Sequence, residues 1–431
     1  MDSVIKFAVD LLSKASILIG IVAMIGLIAQ GKPFGAIVAG TVKTILGFLI
    51  LGAGAGVVVS AIVPLGGLTE LGFGLQGALP VNEVFVAIAQ EKLGSVIGYV
   101  FAISFFLSVL LARFTPLKYI FLSGHHILFM SVLTVGILGI SVITDPTTLV
   151  IVASIITGIS FLTSAWVSDP YMKAVTGGDD IVMGHFGCGS YVLGGYLGLL
   201  FGDKKKSTEE VNVPEWLGFM KEPLVAMAVV MWLFFLLASF AAVMVGGTTR
   251  VGEIYANNQS WVLNSLMSAL TFAAGIGVIL LGVRMILADI VPAFRGFAEK
   301  IVPGAKAALD CPVVFPYAPN AVLIGYLTSI VGGVLVMFLQ IAMNGAIGAV
   351  IIPSMIIHFF LGATSAVFGN ATGGMKGAVL GGFFNGVVFT LLAGTAYVGL
   401  GQLGFSNSTF GDTGFGMMGS ALSFVAALFT P

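Results

Sequence analysis

Charge is what this sequence has least of. Of its 431 residues, 9% are charged and 58% are hydrophobic, and the mean hydropathy is +1.11. A soluble domain covers itself with roughly 25% charged residues, so a water-facing globular surface is excluded and a lipid-facing one is implied. Lys and Arg number 18 against 19 Asp and Glu, a formal net charge of -1 that gives no basis for binding nucleic acid. Cysteine is scarce too: Cys188 and Cys311 stand in apolar surroundings and form no CxxC or metal-ligand spacing. A cleavable signal peptide is not expected, because Asp2, Lys6, Asp10 and Lys14 interrupt the first residues without the usual basic-then-apolar order. No zinc spacing, phosphate-binding loop, Ser-His-Asp arrangement or dinucleotide fingerprint is present. The chain therefore carries no phosphate-donor machinery of its own, and no metal or cofactor is expected.

Long apolar runs take the place of all this. Charge-free stretches cover residues 93–112, 119–144, 146–168, 223–249, 254–283, 311–375 and 377–411, with further apolar sequence nearer the N-terminus. A helix crosses the hydrocarbon core in about 20 apolar residues. The reading is an all-α polytopic membrane protein with about 11 transmembrane helices, since a barrel would show alternating segments of about ten residues. The 59 glycines fit closely packed, partly broken helices. Lys and Arg in the short loops set the orientation. With Lys32 inside, alternation also places Arg113, Lys118, Lys204 to Lys206, Lys221, Arg295, Lys300, Lys306 and Lys376 inside. Asp145, Arg250 and Glu253 then fall outside, as does the N-terminus. The polar stretch 203–223 reads as a solvated cytoplasmic linker between a first half (1–202) and a second half (224–431), the alternative being a docking edge for a cytosolic partner.

Two segments resemble each other at an offset of about 228 residues. AGAGVVVSAIVP (53–64) and LGVRMILADIVP (281–292) share an early glycine and the Ile-Val-Pro end, and each is followed by Gly and then Glu (Gly67 and Glu70; Gly296 and Glu299). Their opposite orientation in the topology above makes this an inverted internal repeat, a plan common in transporters whose sites lie where broken segments meet. Each copy leads into such a segment: 65–92 in the first half and 293–320 in the second, where Pro312, Pro316 and Pro319 break any regular helix. Both are expected to be re-entrant hairpins.

Ionisable groups at membrane depth are site candidates. Asp310, in ALDCPVVF, is the sharpest, and its alternative role is a helix cap. His185 in MGHFG and His125 in SGHH can both donate and accept hydrogen bonds. His125 and His126 should point about 100° apart on a helix, so one of them is expected to face a given cavity. His358 reads as structural. Asn82 and Glu83 close the first broken segment, with Glu83 a ligand group, a coupling carboxylate or a rim charge. Tyr317, in the second broken segment, is counted with the candidates.

Taken together, GTVKTILGFLILGAGAG (40–56), ARFTPLKYIFLSGHH (112–126), MGHFG (183–187) and above all IVPGAKAALDCPVVFPYAPNAVLIG (301–325) resemble the ascorbate-type membrane permease, EIIC, of the bacterial phosphotransferase system. Galactitol permeases share the plan but are less similar. The resemblance implies a homodimer in the bacterial inner membrane, each protomer with a dimer-forming domain and a substrate-binding core. It implies import of L-ascorbate or a related small sugar or polyol, phosphorylated at the cytoplasmic face by a phosphocysteine of the cytosolic EIIB protein. The chain would then be the translocating component of a phosphotransferase that acts only together with EIIB. Residue by residue, it places substrate contacts at Gly54, His125, His185 and Asp310, with Asp310 the general base. The ascorbate pattern has Gln where this chain has Phe129 and Phe186, and Ser where it has Ala55; these positions are expected to line the site and to alter preference. An ion-coupled secondary transporter fits the repeat and the buried carboxylate equally well without the resemblance. A membrane-embedded enzyme has no metal cluster or nucleophile–base pair to support it.

Overall fold

The computed structural model describes residues 15–74, 77–80, 82–179, 181–211, 218–219, 222–257, 259–343, 346–400 and 408–429, some within helices by backbone alone. Its helices are α1 (Ala15–Ala29), α2 (Phe34–Phe73), α3 (Asn82–Phe114), α4 (Gly124–Ser141), α5 (Pro146–Thr176) and α6 (Cys188–Phe201) in the first half. The second half holds α7 (Pro223–Tyr255), α8 (Trp261–Ile301), α9 (Pro319–Ala342), α10 (Met355–Ile357), α11 (Ala363–Leu400) and α12 (Thr413–Phe429). Among the described residues seven helical stretches are long and apolar enough to cross a membrane, and three shorter apolar helices accompany them. On α7, Leu233, Leu237, Phe240 and Met244 stay exposed at helical spacing, a stripe suited to lipid or to another protein surface rather than to water.

Local chemistry sets the ends. Asp145 caps α5 by accepting from the Thr148 amide at 2.8 Å and its hydroxyl at 2.7 Å, with Pro146 at the first helical position. α2 stops at Gly74, which takes a φ of 67°. Both helices that carry the repeat run through their prolines, Pro64 and Pro292, and end at Phe73 and Ile301, so the broken segments start later than the sequence suggests. In lipid the alternative to a helix is an unpaired backbone, which makes a proline easier to accommodate there than in water. α2 and α8 cross where Gly54 meets Gly275: a Cβ on Gly54 would lie 2.7 Å from the Ile279 nitrogen, and one on Gly275 would lie 2.8 Å from Val58 Cγ2.

The broken segments are short strands. β1 (Gly77–Pro80) lies between β5 (Val350–Ile351) and β6 (Ser408–Thr409), and β4 (Lys306–Leu309) lies between β2 (Tyr119–Phe121) and β3 (Ile181–Met183). All pairs are parallel. Each half's broken strand is thus flanked by two strands of the other half. This arrangement pairs backbone groups that neither lipid nor a helix could satisfy at that depth.

The start of the linker, residues 203–211, is mostly exposed but is docked against the second half at a few points. Asp203 and Lys206 bond the chain at Gly373 and Met375, and Thr208 is fully buried. Glu209 accepts the Asn320 and Ala321 amides at the start of α9 at 3.0 and 3.1 Å, which places a carboxylate on the positive end of a helix. Gly373 and Gly374 depart from helical geometry where this segment sits against α11.

Candidate functional site

Parallel strands that stop level with one another deliver whatever follows them to one edge. In the β2–β4–β3 sheet, Phe121 pairs with Ala308 and Met183 with Leu309. His125 follows β2 in the first turn of α4, His185 follows β3, and Asp310 follows β4. In the other sheet Asn82 follows β1, Asp412 follows β6, and Ile356 and Ile357 follow β5. The two edges face one cavity of about 80 Å³, lined also by His126, Phe129, Leu280, Cys311, Phe360 and Leu361. It is polar enough and well above the roughly 10–15 Å³ threshold needed to hold ordered water.

Asp310 is the centre of the polar group. One carboxylate oxygen accepts the Cys311 amide at 2.7 Å, capping the 3-10 turn Cys311–Tyr317. The same oxygen stands 3.7 Å from His185 Nε2, and the second oxygen stands 3.7 Å from His125 Nε2. These gaps are too long for hydrogen bonds; a hydroxyl group seated beside either pair, within reach of both atoms, would bridge it. His185 is oriented from behind: Gly187 N–H donates to its Nδ1 at 2.9 Å, and the Tyr191 hydroxyl lies 2.9 Å from the same nitrogen. A nitrogen that accepts a backbone N–H carries no proton, so Nε2 is the donor that faces Asp310. Across the cavity, Asn82 Nδ2 donates to Asp412 at 2.6 Å.

The far end of the β2–β4–β3 sheet is tied by ion pairs. Lys306 Nζ bonds Asp169 at 2.9 Å and also Asp179, which Lys173 bonds at 2.9 Å; the Tyr119 hydroxyl donates to Asp169 at 3.0 Å. Hydrogen bonds from Lys306 and Lys173 hold the Asp179 carboxyl below the usual carboxylate range.

The family model for the sugar-specific permease component of the phosphotransferase system, EIIC-GAT, matches residues 10–414. This chain belongs to that family. The permease is also 27% identical over 422 residues to the ascorbate-specific EIIC component of Mycoplasma pneumoniae, covering 86% of this chain and 63% of the relative. It therefore spans less than two thirds of that relative's length. Family and apolar helices together make the permease a multi-pass membrane protein, in line with the sequence.

Of the positions singled out in the sequence, the fold of the permease gathers Asn82, His125, Phe129, His185 and Asp310 around one cavity. Gly54 is not in its lining; it serves the α2–α8 crossing. Phe186 turns away, packing against Phe121, Phe161 and Phe415 at ring distances of 5.5, 6.1 and 5.2 Å. Tyr317, the last residue of the capped turn, is exposed. The side chains of Glu83 and Ala55 lie outside the described residues. His126 faces the cavity together with His125, because α4 begins at Gly124 and both side chains project from its first turn. His358 is buried away from the cavity, 2.8 Å from the Ser329 hydroxyl. The sequence reading missed Asp412. Its signal was present: GHFGCG (184–189) and GDTGFG (411–416) share three glycines at nearly the repeat's own offset.

Proposed function

We propose that the protein imports L-ascorbate or a related small sugar or polyol and that phospho-EIIB phosphorylates the substrate at the cytoplasmic face. The observation that carries this reading is Asp310, facing His125 and His185 with one 3.7 Å gap to each, in a cavity enclosed by both broken segments. A sugar hydroxyl seated beside the Asp310–His185 pair donates to the carboxylate and accepts from the His185 Nε2–H. As its oxygen attacks the phosphorus of the EIIB phosphocysteine, an O–P bond forms, the P–S bond breaks, and the thiolate leaves. The hydroxyl proton passes to Asp310 as general base. The chain supplies orientation and the proton acceptor, and EIIB supplies the phosphoryl group. A homodimer, with a dimer-forming domain around a substrate-binding core, completes the proposal.

Uptake into sealed vesicles tests it. With phospho-EIIB on the cytoplasmic side, radiolabelled L-ascorbate should appear inside only as its phosphate ester, and omission of EIIB should abolish accumulation. Accumulation of unmodified substrate driven by an ion gradient would overturn the proposal in favour of an ion-coupled carrier.

A further inference from the structure

The sequence shows no metal-ligand spacing, yet the fold gathers a ligand set. One ring nitrogen each from His125 and His126 and a carboxylate oxygen of Asp310 lie within 4.8 Å of one another at the cavity wall. His125 Nε2 and Asp310 Oδ2 are 3.7 Å apart. Donors bound tetrahedrally at about 2.0–2.1 Å from a metal stand about 3.3–3.4 Å from each other. Side-chain rotations of about an ångström would therefore close the three atoms around one ion. Little holds the two rings against that movement. Both Nδ1 atoms are buried, and neither has a hydrogen-bond partner among the described residues. Asp310 Oδ1 is committed to the Cys311 amide at 2.7 Å, which leaves Oδ2 as the oxygen facing His125. His126 is 2% exposed, and the proposed phosphoryl transfer makes no use of it.

The donors decide which metal fits. Two imidazoles and one carboxylate suit Zn²⁺, whereas Mg²⁺ and Ca²⁺ take sets made of oxygen. Three protein ligands leave a fourth tetrahedral position for water or a hydroxyl group. His185 stands outside the set: its Nδ1 accepts the Gly187 N–H, so its Nε2 carries the proton and cannot ligate in this arrangement. That Nε2–H lies 3.7 Å from Asp310 Oδ1 and supports the carboxylate from behind. A metal-bound imidazole is usually fixed by an acceptor at its other nitrogen, and losing such support costs about 10–100-fold in affinity. With neither ring so fixed among the described residues, binding is expected to be reversible and micromolar, as at an inhibitory site.

We propose that His125, His126 and Asp310 form a Zn²⁺-binding site at the cavity wall, and that an ion held there occupies the carboxylate a substrate hydroxyl needs. The second clause rests on the proposed function in taking the cavity as the sugar site. The test uses the purified, untagged full chain without EIIB, whose own cysteine would take the metal. Calorimetric titration with zinc chloride should show one ion bound per chain, and magnesium chloride should give no binding. Co²⁺ in place of Zn²⁺ should give the strong visible absorption of a tetrahedral site. His126→Gln and Asp310→Asn should each weaken Zn²⁺ binding by at least about tenfold, the least that even a supporting residue contributes. Bound Zn²⁺ should lower the affinity for L-ascorbate, after correction for their complexation in protein-free buffer. Absence of Zn²⁺ binding, or binding that is unchanged in both variants, would overturn the inference. A weak, octahedral Co²⁺ spectrum of the wild type would overturn it too, and that measurement holds even where a variant fails to fold. Should L-ascorbate bind in a manner that depends on Asp310 while Zn²⁺ does not bind, this inference falls alone. Should Zn²⁺ bind through these residues without affecting L-ascorbate, the metal site stands and the assignment of the cavity to the sugar falls.

Discussion

Replacing Asp310 by Asn separates the two tasks of this carboxylate, because only one of them needs a base. The capping oxygen survives: an Asn side chain still offers an acceptor to the Cys311 amide, held at 2.7 Å in the native protein. The contacts altered are the two 3.7 Å approaches to His125 and His185, already too long to be hydrogen bonds. Stability should therefore change by less than about 1 kcal/mol. Binding should weaken by roughly tenfold, the scale of one charge-assisted hydrogen bond. The chemical step should suffer more. A general base contributes about 10²–10⁴-fold, so phosphorylation-coupled uptake is expected to fall at least about 100-fold, or about 2.7 kcal/mol of barrier. The assay is the rate of sugar phosphate formation in vesicles supplied with phospho-EIIB, beside calorimetric binding and a thermal unfolding curve. A variant that phosphorylates at the wild-type rate would refute the reasoning and leave Asp310 as a structural cap. Loss of rate, binding and folding together would equally deny that the two tasks are separable.

Three further outcomes are expected. Phe129→Gln, at the cavity wall, should change the relative affinities for L-ascorbate and neutral sugars; Phe186→Gln, inside the aromatic cluster, should instead cost about 3 kcal/mol or more of stability, read as a lowered unfolding midpoint. Gly54→Val should separate α2 from α8, since even a Cβ there would lie 2.7 Å from the Ile279 nitrogen; a loss of about 1–3 kcal/mol is expected, and an unfolding midpoint equal to wild type would contradict the crossing. Asp179, whose carboxyl is held down by hydrogen bonds from Lys306 and Lys173, should stabilise the fold above the ordinary carboxylate range and lose that contribution as pH falls through its lowered value. Thermal midpoints of wild type should therefore drop on acidification more steeply than those of Asp179→Asn, and parallel curves would count against the ion-pair cluster.

How much of this was legible depends on the length of the feature. Apolar runs of 20 residues announce themselves, and Asp310, His125 and His185 stood out because ionisable groups are rare at that depth. The six strands among the described residues could not be read. They are two to four residues long, far shorter than any periodicity can register, and they pair across halves. Without them nothing in the sequence brings Asn82 next to Asp412. His126 was discounted by a rule about helix faces that fails in a first turn, where side chains project past the helix end. Phe186 was placed in the site by the resemblance, which has Gln there, although it follows His185 on a sharp turn, where adjacent side chains diverge. Asp412 went unnoticed because it bounds an apolar run instead of interrupting one, although its glycine spacing repeats that around His185.

The exchange of strands between the two halves also orders events during synthesis. β1 emerges early, but its neighbours β5 and β6 lie at residues 350–351 and 408–409. At 5–20 residues per second, the ribosome needs on the order of tens of seconds to supply them. Throughout that interval the backbone of the first broken segment has its final partners still unmade, in a membrane that offers it none. β4, by contrast, meets β2 and β3 already synthesised. The first half must therefore wait, shielded within the insertion machinery or held in a provisional pairing, while the second can close at once. Substitutions that slow translation or insertion between β1 and β6 should thus reduce the yield of folded permease even where they leave the finished structure unchanged.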